Sequence, residues 1–268
     1  MQTGFYVDGS SGFNITMNYG NIGKKADVYE VKAFRMVHFK AFRDTGWIEV
    51  NHLTLLFGQN SSGKSALYQV LQMLSYAYNC MMREEYFSDL SYMEKITGNF
   101  QDLCNKRIDD PVVKIGFLLQ NQESKTEYWV QIAQKQSENT GYVENVYGKR
   151  KDESCDFLKY YHSINMFFLE RREDIHIPVE IESMAEEMLL SIRSFARSLQ
   201  MIAAHRHQPD RVMELTGIAP RSIGNAGETT FPMLYALSEM QGKQTAMLRG
   251  WLEKFGYTYR WQMVGINR

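Results

Sequence analysis

The chain has 268 residues, 44% of them hydrophobic and 23% charged. A chain of that length can bury roughly 70–75% of its unfolded surface, and this composition excludes collagen-like, coiled-coil and disordered classes. Thirty basic residues stand against 31 acidic ones, a formal charge of −1, so no overall attraction to nucleic acid or anionic lipid is written into the chain.

Residues 1–26 are polar and glycine-rich, lack the hydrophobic core of a secretory signal, and read as an N-terminal arm. Over 27–39 apolar and polar side chains nearly alternate, which predicts a partly exposed strand. Trp47, Ile48 and Val50 predict a short strand, and the compact apolar run 53–57 a fully buried one. From Gly63 to Met82, Ala66, Leu67, Val70, Leu71, Leu74, Ala77 and Tyr78 recur at the helical period, a helix of roughly 30 Å. Residues 83–105 are mixed and charged, helical in part, and Pro111 ends them. Residues 112–119 and 128–132 predict two antiparallel strands, with 142–147 as a third. The run 148–154 mixes both charge signs and predicts a solvated loop. Met184, Met188, Leu189, Ile192, Phe195, Ala196 and Leu199 carry helical spacing after an acidic start at Glu180 and Glu182, which suits a helix N-terminus. A strand-like stretch follows at Met201. Helices are predicted over 228–240 and 246–255, with Gly256 as a stop and a last strand over 257–266.

One motif carries chemistry. Gly58, Gln59, Asn60, Ser61, Ser62, Gly63, Lys64 and Ser65 fit G-x-x-x-x-G-K-[ST], with an expected buried strand before and an amphipathic helix, opening through Ala66, after. Glycines let consecutive N–H groups turn inward toward phosphate oxygens, and the helix N-terminus adds its positive end. Lys64 then supplies a mobile charge to the outer phosphates, Asn60 stands where an amide reaches the bridging oxygen, and the Ser65 hydroxyl is placed to coordinate Mg²⁺. The spacing thus points to ATP with Mg²⁺.

Elsewhere the signals are sparse. Cys80, Cys104 and Cys155 form no CxxC pair and no histidine lies at zinc spacing, which points to a reduced, cytoplasmic setting. No apolar run approaches the ~18 residues of a membrane helix, so no membrane span is expected. Residues 164–170 are the only apolar run ending in a carboxylate, which makes Glu170 the in-chain candidate for a Mg²⁺-binding acid; the alternative is that it merely ends a buried strand. His205 and His207 alternate and so face opposite sides of a strand, against a metal pair. A carboxylate cluster for metal-dependent nuclease work and a G-x-S-x-G hydrolase elbow are both missing.

The stretch FKAFRDTGWIEVNHLTLLFGQNSSGKSALYQVLQML, residues 39–74, resembles the N-terminal lobe of ABC-type ATPases of the structural-maintenance-of-chromosomes and RecF kind, with their F-x-x-F strand and L-T-x-L-x-G-x-N-x-S-G-K-S. It looks most like a prokaryotic subgroup that includes overcoming-lysogenization-defect-like and defence-associated members. The block from Ile202 to Arg211 resembles that subgroup's G-P-x-R-x-x-P-x-R, matching at Arg206, Pro209 and Arg211 but with Ala203 and Ala204 replacing the usual small residue and proline; Ile223 to Glu228 resembles V-G-x-x-G-E, and Trp251-Leu252 its W-L.

The resemblance implies an α/β fold: a P-loop NTPase of ABC/SMC-head type, its mixed sheet joined by an antiparallel β lobe and a partial helical lobe. It divides the chain into the arm, a first lobe with a helical insertion over 27–200, and the start of a second lobe over 201–268. By position, Gln208 is the candidate sensor of Mg²⁺ and the attacking water, and Arg206 a charged substitute; Arg206 and Arg211 pairing with Asp210 or Glu214 is the alternative. Such ATPases hydrolyse ATP between two heads, through a signature segment, an Asp-Glu strand and a switch histidine, all expected beyond Arg268 or from a partner. A homodimer or higher oligomer through the ATP heads, and an effector protein such as a nuclease in phage defence, are the implied partners. A non-hydrolysing ATP sensor or scaffold is the second reading. A P-loop kinase, with Arg171 and Arg172 as its only clustered arginines, is the third. Nucleic acid is not indicated by charge, since the last 68 residues carry only eight basic against five acidic residues.

Overall fold

The computed structural model describes residues 29–59, 62–107, 112–121, 124–135, 138–151, 153–202, 207–208, 223–224, 226–240 and 242–258. The arm, the strand expected over 257–266 apart from its first two residues, and most of 203–222 lie outside them. In chain order the elements are β1 (Glu30–Phe39), β2 (Phe42–Asp44), β3 (Ile48–Glu49), α1 (Lys64–Met82), α2 (Glu94–Thr97), α3 (Phe100–Leu103), β4 (Val113–Gln120), β5 (Lys125–Gln134), β6 (Gly141–Arg150), β7 (Glu153–Asp156), β8 (Tyr161–Ser163), β9 (Leu169–Arg171), α4 (Val179–Ser198), α5 (Thr230–Met240) and α6 (Lys243–Lys254). The class is mixed α/β.

All pairings in the main sheet are antiparallel, in the order β2-β1-β4-β5-β6-β7, with β3 beside β2 on the outer side of β1. Register explains the inner face. Phe34, Phe117, Tyr128 and Gly148 stand in one row across four strands, and Met36, Ile115, Val130 and Val146 in the row nearest it. Gly148 is needed in its row: a Cβ there would sit 2.6 Å from the Phe157 ring and 2.9 Å from Met188 Sδ, so its bareness lets α4 close on the sheet. α1 lies against α4 on that face. Its buried stripe is Ala66, Val70, Met73, Leu74, Ala77 and Cys80; that of α4 is Ala185, Met188, Leu189, Ser191, Ile192 and Ala196. Both are the one-sided helical spacing of a surface helix packed on a core.

The charged run 148–154 is not a loop. Gly148 to Arg150 end β6, Lys151 turns with φ 53°, and β7 pairs back from Glu153. Mixed charge there marks the water-facing side of an edge hairpin, a usual place for charge because it blocks further pairing. The run 164–168 is buried, yet irregular rather than a strand, and only Leu169 to Arg171 pair, with β8. Side chains meet its backbone instead: the Tyr128 hydroxyl donates to the Phe167 carbonyl at 2.9 Å and the Met166 N–H donates to the Tyr92 hydroxyl at 3.4 Å, while the Asn165 NH₂ ties the run to the Ala77 carbonyl of α1 at 3.2 Å. These side-chain bonds do the work that a ladder would do.

Residues 83–107 wrap α1 through the expected partial helices. Asn99 and Asp102 form a reciprocal capping box at α3, and Tyr92 stacks on Phe87 at 4.1 Å and on Tyr76 of α1 at 5.9 Å. α5 and α6 form a helical hairpin in which the Thr245 hydroxyl donates to the Leu237 carbonyl at 2.6 Å. α6 stops at the left-handed Gly256, as the sequence predicts.

Tyr128 is fully buried, and burial pushes its phenol far up, so the hydroxyl is a permanent neutral donor. Tyr128→Phe removes it and strands the Phe167 carbonyl. Urea unfolding should show a loss of about 1–2 kcal/mol.

Candidate functional site

The sequence places a phosphate loop between a buried strand and α1. The helix is as expected; the strand is not. Residues 50–59 form no strand, and Leu53, Leu55, Leu56 and Phe57 are 74%, 62%, 46% and 86% exposed. The physical reason lies in the sheet edge. β3 spans two residues, the Val50 N–H still donates to the Lys32 carbonyl at 2.7 Å, and the chain then leaves the sheet. From 52 to 57 the backbone makes no hydrogen bond among the described residues, so the run's apolarity on both sides is left without strands to receive it.

The loop itself has a definite geometry. Gly58 has φ 156° and Gly63 has φ 92° and ψ 2°, both in the region that favours glycine. A Cβ on Gly58 would lie 2.7 Å from Ser62 Oγ. The Lys64 ammonium folds back and donates to the carbonyls of Gly58 at 2.7 Å and Gln59 at 2.5 Å, and to Ser62 Oγ at 3.3 Å. The chain is thereby drawn around a positive charge. The Ser62 N–H donates to the Gln59 carbonyl, and the Gly63 carbonyl accepts from Ala66. The N–H groups of Lys64 and Ser65 are left without a backbone acceptor among the described residues, as the opening of a helix requires. α1 has no side-chain cap and no acid in its first turn, so nothing local neutralises its positive end. Ser65 is exposed and Ala66 buried. Asn60 and Ser61 lie outside the described residues.

β2 flanks the loop. The Phe42 ring lies where a Gly63 Cβ would be, 2.7 Å from Cζ and 2.9 Å from Cε2. Asp44 anchors β2: its carboxylate takes two bonds from Arg35, at 2.9 and 2.5 Å, which hold it below the usual carboxylate range and raise Arg35. Lys40, in the turn before β2, donates through Nζ to the Thr97 carbonyl at 3.1 Å; burial lowers its ammonium, with Asp102 opposing. Phe42 is the second phenylalanine of the F-x-x-F element, but nothing in the sequence ties it to Gly63.

The other candidates do not join the loop. Glu170 is exposed in the two-stranded ribbon, opposite His162, whose Nε2 lies 3.3 Å from its carboxylate. It does not end a buried Mg²⁺ strand, because the run before it is irregular. Gln208 is exposed, and among the described residues no hydrogen bond links it to Gly58, Gln59, Ser62, Gly63, Lys64 or Ser65; Arg206 lies outside them. Arg171, half of the arginine pair a kinase lid would need, is engaged by Glu182 at 2.6 Å. No group of three metal-ligating side chains occurs among the described residues, so a Mg²⁺ ion here would take its ligands from Ser65, phosphate oxygens and waters. Burial raises the thiols of Cys80, Cys104 and Cys155, and all three are free. No described helix is long and apolar enough to cross a membrane.

Comparison with protein-family models, with curated proteins and with solved structures gives no match to this chain.

Gly58→Ala should disturb the loop doubly, through its φ and through the approach to Ser62. It should lower affinity for inorganic triphosphate, measured by calorimetry, while changing the unfolding free energy in urea by less than about 0.5 kcal/mol, since the loop lies outside the core.

Proposed function

We propose that this chain binds ATP with Mg²⁺ through residues 58–65 and serves as an ATP-binding component of the ABC/SMC-like class. The observation that carries the reading is the folded-back Lys64 inside a two-glycine loop that opens directly into a 19-residue helix. On arrival of the nucleotide, the ammonium exchanges the Gly58 and Gln59 carbonyls for outer phosphate oxygens. The freed N–H groups of Lys64 and Ser65 meet the phosphate next to the helix start, and Ser65 Oγ turns to Mg²⁺. Each is a neutral or positive donor that the loop or the helix start already carries.

Turnover needs more than these groups, since among the described residues no bond joins Glu170 or Gln208 to the loop. In this reading the acid and water-positioning groups come from another segment or protein, which also covers the exposed run 53–57. The output is the closure itself, gating an effector such as a nuclease in phage defence; that last step rests on analogy of fold. The missing bond to Glu170 or Gln208 favours one second reading, an ATP sensor that orders an assembly without hydrolysis. Phosphate release in the presence of partner proteins separates the two.

Equilibrium dialysis with Mg·ATP should show saturable binding to the wild-type chain. Lys64→Ala should weaken it about ten- to hundredfold, from the ~1.5–3 kcal/mol of a hydrogen bond to a charged group. Equal affinity in the two proteins would sink the proposal.

A further inference from the structure

We infer that Phe42 is a positioning residue of the phosphate loop: its ring, seated on Gly63, holds the left-handed turn through which the loop passes into α1. The inference rests on the ATP reading given above and adds to it a residue outside the motif.

The need for such a residue comes from what the loop lacks. Gly63 stands at the N-cap of α1, where a serine, threonine or aspartate would normally fix the helix start through a side-chain bond, and here no side-chain cap exists. Glycine at φ 92° has freedom on both sides of its well. The N–H vectors of Lys64 and Ser65 follow directly from that residue's φ and ψ, so free rotation at Gly63 would scatter the two donors that a phosphate must meet together. The ring provides the constraint from outside. With Cζ and Cε2 at 2.7 and 2.9 Å from the place of a Cβ, Phe42 fills the only side of Gly63 on which a side chain would have restrained it.

A residue that positions another must itself be held, and Phe42 is held at both ends. After it, Asp44 is clamped by Arg35 through two bonds. Before it, the turn takes left-handed φ values at His38 (59°) and Lys40 (49°), neither of them glycine, on either side of the fully buried Phe39. Such a turn persists only where the surroundings over-determine it. Here the Lys40 N–H donates to the Leu103 carbonyl at 2.8 Å, Lys40 Nζ to the Thr97 carbonyl at 3.1 Å, and the Asn105 N–H to the His38 carbonyl at 2.8 Å. Residues 83–107 thus hold the hairpin, and the hairpin holds Gly63.

The test is a double-mutant cycle on the purified chain with Phe42→Leu, Gly63→Ala and both together, reading the Kd for Mg·ATP and the thermal midpoint. Leucine keeps an apolar side chain in β2 but lacks the ring atoms that meet Gly63. Phe42→Leu should weaken ATP about five- to tenfold with the protein still folded at the assay temperature, and Gly63→Ala should cost less in the leucine background than in the wild type, a coupling of about threefold or more. A merely structural Phe42 would lower the midpoint, leave the Kd of the folded protein within about twofold, and combine with Gly63→Ala multiplicatively; that result overturns the inference while the ATP reading stands. A wild-type chain that binds no ATP overturns both.

Discussion

The position of α1 is the constraint on which the rest depends. Its stripe from Ala66 to Cys80 has one surface to bury itself in, the inner face of an antiparallel sheet whose rows are already filled by Phe117, Tyr128, Ile115 and Val130. Six buried side chains on a 19-residue helix leave it little freedom to slide. Once the helix is docked, its first residue has a fixed place beside β2, and the loop must close the distance from β3 to that point. Loop 58–63 is therefore located by core packing several turns away from it. Its own contacts, three solvent-exposed bonds from Lys64 and one from Ser62, are too weakly sheltered to do this alone.

Much of this was legible in the sequence wherever one local period governed the outcome. α1, α4 and the strands β4 to β6 appear where spacing put them, because each buries one face and leaves the other wet. The loop motif was legible too, since glycine at fixed positions is a statement about backbone angles. The failures have a common cause, which is that they depend on what lies across the fold. The run 53–57 has the composition of an interior strand, but a strand is a relation between segments, and no described segment answers it. Residues 148–154 looked like a loop because charge was read without its partner, Glu153 to Asp156 lying back along β6. Residues 164–168 have the apolarity of a strand, yet the Tyr128 and Tyr92 hydroxyls meet their backbone from the side. Phe42 is 21 positions before Gly63, and no periodicity joins them.

The exposed run 53–57 leads directly into the loop. Four large apolar side chains between 46% and 86% exposed are costly to leave in water, at about 25 cal/mol for each Å² of apolar surface. Phe57 is followed directly by Gly58, whose carbonyl accepts from Lys64. There is no flexible spacer between the surface that a strand would cover and the atoms that a phosphate would engage. Any segment that pairs with 53–57 must fix the backbone of Phe57, and with it the start of the loop.

That contiguity has a thermodynamic consequence. If ATP binding requires an ordered Gly58 and the covering of 53–57 also orders it, each event lowers the entropic cost of the other, and the coupling is the same in both directions. On the proposed reading the ligand then acts as a condition on assembly: bound nucleotide favours the covered state of the run, and a covering strand tightens the nucleotide. The hairpin on the other side of the loop acts differently. Phe42 is pinned by bonds within the described fold and is in place before any ligand arrives, so it sets a fixed floor under Gly63. One end of the loop is thus held by the core, while the other adjoins an exposed run that a partner can cover. That asymmetry is what a binding site needs if occupancy is to be communicated to a partner: a loop rigid at both ends would bind without signalling, and one loose at both ends would bind poorly.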